Sequence, residues 1–120
     1  MRFTVAARLK SFAYAFAGLA FMLRSQHNAW LHLVATVAVI AAGFMLRVNE
    51  DDWRWLIAAI TLVWLAEALN TAFEHLCDVV QPEFHVSVQR AKDIAAGAVL
   101  ICVIGAALLG LMTLCPTSTR

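Results

Sequence analysis

Glu67, Asn70, Glu74 and Asp78 interrupt an otherwise apolar stretch at steps of three, four and four residues. On an α-helix those steps bring side chains to one face. An ionised carboxylate in hydrocarbon costs about 3 kcal/mol or more. Leucine, tryptophan and alanine around Glu67 therefore imply that something polar meets it. Oxygen side chains of this kind suit magnesium, which takes one or two carboxylates, keeps several waters and is completed by nucleotide phosphates. Glu74 and Asp78 fit that role. Glu67 lies seven residues deeper than Glu74, about 10 Å along a helix axis, where a lipid hydroxyl could reach it. A carboxylate withdrawn from water holds a proton more firmly than an exposed one, which makes Glu67 the candidate general base.

Further along, Lys92 is placed to neutralise phosphate charge, and Asp93 to hold either that lysine or a metal-bound water. Phosphoryl transfer asks mainly for positioning and electrostatic stabilisation, so this sparse set suffices in principle. The chain has no G-x-x-x-x-G-K-[ST] loop and no protein-kinase signature, so the standard motifs do not imply nucleotide binding. Read alone, the same residues also allow plainer roles. Glu67, Asn70 and Glu74 could cross-link helices, Lys92 and Asp93 could be an interfacial pair at a helix start, and Glu83 and His85 could be solvated loop residues.

The elements that must position these groups belong to a membrane protein. Of 120 residues, 62% are hydrophobic and 14% charged, with a net charge of +1, a composition outside the usual soluble range. Ala29 to Leu46, Trp55 to Ala66 and Ile94 to Thr119 carry no formal charge. The pattern predicts an all-α fold in a single domain over 1–120, with spans at about 29–47, 53–77 and 92–115, each long enough for a hydrocarbon layer of roughly 30 Å. Leu9, Phe12, Phe16, Leu19 and Leu23 recur at steps of three and four between Arg8 and Arg24, predicting an amphipathic surface helix at about 4–24. A basic start and a short apolar core also suit a secretory signal, but the next span follows within a few residues, which favours the surface helix.

The acidic connection from Arg47 to Arg54 reads as the outer loop, with Trp53 and Trp55 as interface anchors, and a second polar loop is expected from Val79 to Arg90. Arg2, Arg8, Lys10, Arg24, Arg90 and Lys92 fall on one side, against Arg47, Arg54 and Arg120 on the other. That imbalance places the N-terminus in the cytoplasm. The polar end of the stripe then faces the compartment that holds nucleotides. Three spans give little interior, so a homo-oligomer is expected to bury the stripe. Ala91, Ala95, Ala98 and Cys102, with Gly97 and Gly105 nearby, form a small-residue surface for close helix approach. The absence of a basic run argues against nucleic acid as a partner. Cys77, Cys102 and Cys115 are scattered and suggest neither a disulfide framework nor zinc, but apolar fillers. His27 and His75 read as interface residues.

Several longer strings carry a resemblance. Glu67-Ala68-Leu69-Asn70-Thr71-Ala72-Phe73-Glu74, then Asp78, Pro82-Glu83-Phe84-His85 and Arg90-Ala91-Lys92-Asp93-Ile94-Ala95-Ala96-Gly97-Ala98-Val99 resemble the signature of the small prokaryotic diacylglycerol kinase and undecaprenol kinase family. Ser11-Phe12-Ala13-Tyr14-Ala15 and Gly18 resemble its surface-helix motif, so the likeness covers about residues 8 to 110. It implies a homotrimer of three-span subunits in the bacterial inner membrane, with sites shared between neighbours. It also implies magnesium- and ATP-dependent phosphorylation of a membrane lipid alcohol, undecaprenol or diacylglycerol. By that resemblance Glu67 is the base, Asn70 orients the reacting groups and Glu74 binds metal. Tyr14, Asp78, Glu83, His85, Lys92 and Asp93 match positions around the nucleotide.

The chain departs from the pattern before the first span. There the family usually has a glutamate in a stretch like Glu-Arg-Asn, and this chain has Gln26-His27-Asn28. That glutamate is the family's other metal ligand, and the amide of Gln26 offers an oxygen without charge. Two further positions, often basic and polar in the family, are Ala13 and Ala17, and a basic position before the retained His32 is Trp30. Two rival readings follow from these features: a small proton-coupled transporter, which would need a carboxylate reachable from both sides and usually more spans, and a catalytically impaired relative kept as a structural or regulatory subunit.

Overall fold

In the computed structural model, which describes residues 3–115, four helices account for nearly all of the chain: α1 (Val5–Ser25), α2 (His27–Met45), α3 (Glu50–Val80) and α4 (Val86–Leu114). Arg2 and Arg120, which enter the charge balance above, lie outside the described residues. By length and composition all four helices, α1 included, are apolar enough to cross a membrane. The expected helix at about 4–24 is therefore present as α1.

Each boundary has a local cause. Thr4 caps α1, its hydroxyl accepting from the Ala7 N–H at 3.0 Å. One extended residue, Gln26, separates α1 from α2. At the end of α2, Arg47 adopts φ 53°, the Val48 N–H donates to the Gly43 carbonyl at 3.2 Å and the Arg47 N–H to that of Phe44 at 3.3 Å. This is a Schellman closure, here with an arginine where glycine is usual. The Asn49 side chain then accepts from the Asp52 N–H at 2.9 Å, and Glu50, Asp51 and Asp52 fill the first turn of α3, where acidic groups meet the positive end of the helix dipole. Pro82 disfavours helical backbone at Gln81, and α3 stops at Val80.

Both connections are shorter than the sequence suggested. The outer one is confined to 46–49 and the second to 81–85, because polarity alone does not break a helix; α3 and α4 run on through residues expected to be loop. At 31 residues α3 is about 46 Å long. It therefore outreaches a hydrocarbon layer of roughly 30 Å and carries its ends into the aqueous zone.

α3 packs most extensively on α4 and less so on α2, and the molecule measures 54 × 43 × 24 Å. The short dimension is only about two helix diameters, so the interior is thin. Met22, Ala29, Val48, Leu56 and Ala59 are its buried apolar residues. Trp53 is half-buried on α2, with its ring 4.9 Å from that of Phe44; Trp55 is exposed. A Cβ at Gly43 would come within 2.6 Å of the Trp53 indole, whereas at Gly97 or Gly105 it would meet nothing within 4 Å. Those two glycines thus play no part in close approach within the chain. No disulfide links Cys77, Cys102 or Cys115, and Cys115 is exposed rather than an interior filler.

Gly43→Ala should lower thermal stability in detergent. The overpacking against Trp53, about 1–3 kcal/mol, outweighs the gain of about 1 kcal/mol in helix propensity. An unchanged or raised melting temperature would show that the indole moves aside freely.

Candidate functional site

The polar stripe of α3 is resolved into three side-chain pairs at successive levels. Deepest is Glu67, 1% exposed and, with Leu56, one of the two largest fully buried side chains. Its Oε2 lies 3.3 Å from Nε2 of His32 on α2. One level up, Asn70 Nδ2 donates to Glu74 Oε1 at 3.2 Å within α3. Highest, Lys92 Nζ on α4 donates to Asp78 Oδ1 at 2.6 Å, with the two side chains 28% and 63% exposed. Eleven residues separate Glu67 from Asp78, about 16 Å of helical rise. Over that distance the carboxylates pass from complete burial to water.

Trp64 and Thr36 support the deepest pair. Trp64 Nε1 donates to Thr36 Oγ1 at 2.9 Å, and Thr36 Oγ1 donates to the His32 carbonyl at 2.7 Å. The Trp64 ring also meets the His32 ring edge-on, at 6.2 Å between centroids. His32 and Thr36 border an apolar cleft of about 260 Å³ that continues between α2, α3 and α4 past Val39, Ile60 and Val103.

The structure brings Glu67, Asn70, Glu74 and Asp78 to one stripe, as the spacing predicted, but Lys92 pairs with Asp78 and not with Asp93, the partner the sequence suggested. It does not gather every expected residue. Tyr14 is 72% exposed on α1. Glu83 is exposed in the 81–85 connection, and Asp93 is exposed and accepts from Gln89 Nε2 at 3.0 Å. His85 serves the fold locally as the N-cap of α4, with Nδ1 accepting from the Ser87 N–H at 3.2 Å. Gln26 is half-buried at the α1–α2 corner, and its side chain neither caps α2 nor bonds Glu74. α1 does reach this level, since Phe21 stacks on His75 at 5.3 Å.

His32, Thr36, Trp64 and Thr71 join the site without having been expected there. A signal existed in the lone histidine of an uncharged span, with Thr36 one turn on, and in the three- and four-residue steps from Trp64 to Glu67 to Thr71.

Magnesium fits the donors at the middle level. Asn70 Oδ1 and Thr71 Oγ1 are buried without a hydrogen-bond partner, and like the Glu74 carboxylate one turn along α3 they are hard oxygens of the kind that ion takes. Among the described residues no three His, Cys, Asp or Glu side chains converge as a metal cage. Such an ion would therefore depend on further oxygens, from water or phosphate.

Comparison with known proteins gives a consistent result. Residues 13–114 match the family described as Prokaryotic diacylglycerol kinase. A protein named Diacylglycerol kinase from Synechocystis sp. is 38% identical over 109 residues, covering 90% of this chain and 62% of that protein. Another, named Undecaprenol kinase from Bacillus subtilis, is 33% identical over 107 residues, covering 89% and 87% respectively. The chain thus spans less than two thirds of the first relative and most of the second.

Because its carboxylate is largely in water, the Asp78–Lys92 pair should contribute little to folding. Asp78→Asn is expected to change unfolding stability by no more than about 1 kcal/mol, read from thermal melts in detergent. A larger loss would make this pair a structural clamp between α3 and α4.

Proposed function

The chain belongs to the prokaryotic diacylglycerol kinase family, and on that premise we propose that it transfers the γ-phosphoryl group of ATP, with Mg²⁺, to the hydroxyl of a membrane lipid alcohol. The observation that carries this reading is the burial of Glu67 in an apolar helix, against one ring nitrogen, directly below the oxygen donors of Asn70, Thr71 and Glu74. A carboxylate so placed suits proton abstraction from a hydroxyl that arrives through the membrane.

In this reading Glu67 takes the hydroxyl proton and Asn70 orients the reacting groups. Glu74 holds Mg²⁺ with the amide oxygen of Gln26, and the metal, when bound, neutralises charge on the transferring phosphoryl group. Lys92 and Asp78 lie on the nucleotide side, together with Tyr14, Glu83, His85 and Asp93. The cleft beside His32 and Thr36 suits the hydrocarbon chain of the acceptor. The relatives' names point to diacylglycerol and undecaprenol as the acceptors to try. The assembly is a homotrimer in the bacterial inner membrane. In each subunit α1 lies on the surface, α2, α3 and α4 cross, the N-terminus is cytoplasmic and the sites are shared between neighbours.

Gln26, standing where the family has a glutamate, favours a second reading in which this chain is a catalytically impaired member with a structural or regulatory role. One assay separates the two. Purified protein supplied with labelled ATP, magnesium, diacylglycerol and undecaprenol should produce a labelled lipid, and Glu67→Gln should reduce the rate by about 10²–10⁴-fold. Failure of the natural chain on both lipids would favour the impaired member. Gln26→Glu should lower the magnesium concentration giving half-maximal rate, on the order of tenfold for one added charged ligand; unchanged metal dependence would remove position 26 from the metal site.

A further inference from the structure

We propose that His32 is a positioning residue for the transfer, holding one oxygen of Glu67 so that the other faces the acceptor hydroxyl. The proposal rests on the reading of Glu67 as the general base. A general base must be ionised, and an ionised carboxylate can only accept hydrogen bonds; in that state His32 Nε2 is the donor across the 3.3 Å contact with Glu67 Oε2. This leaves Oε1 as the oxygen for the incoming hydroxyl.

The imidazole also meets the Trp64 indole edge-on, at 6.2 Å between ring centroids. Glu67 and Trp64 lie three residues apart on α3, and His32 and Thr36 four apart on α2. Each pair therefore shares a face, and the cross-helix contacts close the four into a ring: Glu67 to His32, His32 to Thr36 through its carbonyl, and Thr36 to Trp64. A link between α2 and α3 alone would need no charged member, because the Trp64–Thr36 hydrogen bond already supplies one. What the His32–Glu67 contact adds is a fixed orientation for a carboxylate that has no other hydrogen-bond donor among the described residues.

In the reaction, the hydroxyl proton passes to Glu67 Oε1 as the lipid oxygen forms its bond to the γ-phosphorus. The bond from that phosphorus to the bridging oxygen breaks, and ADP leaves with the electron pair. His32 Nε2 donates to Oε2 throughout, and the proton on Glu67 is later lost to water. Orientation of this kind acts on the chemical step, not on substrate binding.

The test uses the full chain in detergent with ATP, magnesium and each lipid alcohol in turn. His32→Ala should lower kcat by about 10–100-fold, with KM for ATP and lipid within about twofold of the natural protein's. His32→Gln, which returns an N–H donor, should recover most of the loss. Unchanged kcat in His32→Ala, a loss confined to KM, or a glutamine variant no better than alanine while both keep their helical circular dichroism would each overturn the proposal. Should the position-32 variants not fold, Trp64→Leu gives the second measurement, since it removes the ring that meets the imidazole edge-on and leaves both His32 and Glu67 in place: a several-fold fall in kcat at constant KM supports the proposal, and an unchanged kcat overturns it. An inactive natural protein would remove the kinase reading and this proposal together, whereas an active one with an indifferent position 32 removes the proposal alone.

Discussion

A carboxylate buried in an apolar helix, met by a single imidazole, is the constraint around which the rest is arranged. Taking an ionised carboxylate out of water costs several kcal/mol even after relaxation, and one hydrogen bond of 3.3 Å does not offset all of it. The ring around Glu67 shows how the fold accommodates that cost. α2 must cross α3 with His32 at the level of Glu67, and Trp64 and Thr36 must lie beside them to keep the imidazole turned inward. The far end of the same hairpin is fixed independently, by the closed turn at Arg47 and by the Trp53 indole lying over Gly43. With both ends pinned, α2 can neither slide nor rotate enough to leave the carboxylate without its partner.

From that fixed point the polarity of α3 changes in steps. The partner is a ring nitrogen at Glu67, a primary amide at Glu74 and an ammonium at Asp78, while exposure rises from almost none to more than half. A reaction joining a membrane-soluble alcohol to a water-soluble nucleotide needs such a gradient. Its two reactants approach from phases of different dielectric, and the groups that meet each must remain in the phase they serve. The middle level is where they would meet. There Asn70 spends its N–H on Glu74 and keeps a buried carbonyl oxygen unpaired, at a cost of about 1–3 kcal/mol that a structural residue would ordinarily avoid.

Much of this was legible in the sequence. The three- and four-residue steps placed Glu67, Asn70, Glu74 and Asp78 on one face, uncharged runs located α2 and α4, and the second loop was expected around Pro82, where α3 ends. What escaped was tertiary. The lone histidine of an uncharged run marks His32 as unusual, but nothing local says that it will face a carboxylate 35 positions away. Polar composition near Val79 and Arg90 suggested loop, but those residues are exposed on α3 and α4, and a helix in water tolerates polar side chains as readily as a coil does. That the Trp53 indole would lie over Gly43 was likewise not visible in the sequence, since the two residues belong to different helices. His85 belongs to the same class: its capping nitrogen shows only once α4 is known to start at Val86.

The thinness of the chain bears on how the site works. In a molecule 24 Å deep, α4 cannot cover α3 on every side. The groove between them, bordered by Leu65, Asn70, Phe73, Ala95 and Cys102, remains open along the face that carries Asn70. Hydrocarbon could cover the leucine and phenylalanine of that groove without penalty, but not an amide. A side chain that can donate and accept four times and makes one bond within its own chain is stable at such a depth only while another polar group stays close. A neighbouring subunit, a phosphate oxygen with its water, or the hydroxyl of a lipid can each supply it. The same incompleteness that leaves the Asn70 amide oxygen unpaired within the chain leaves the stripe on α3 open to a polar group from outside it.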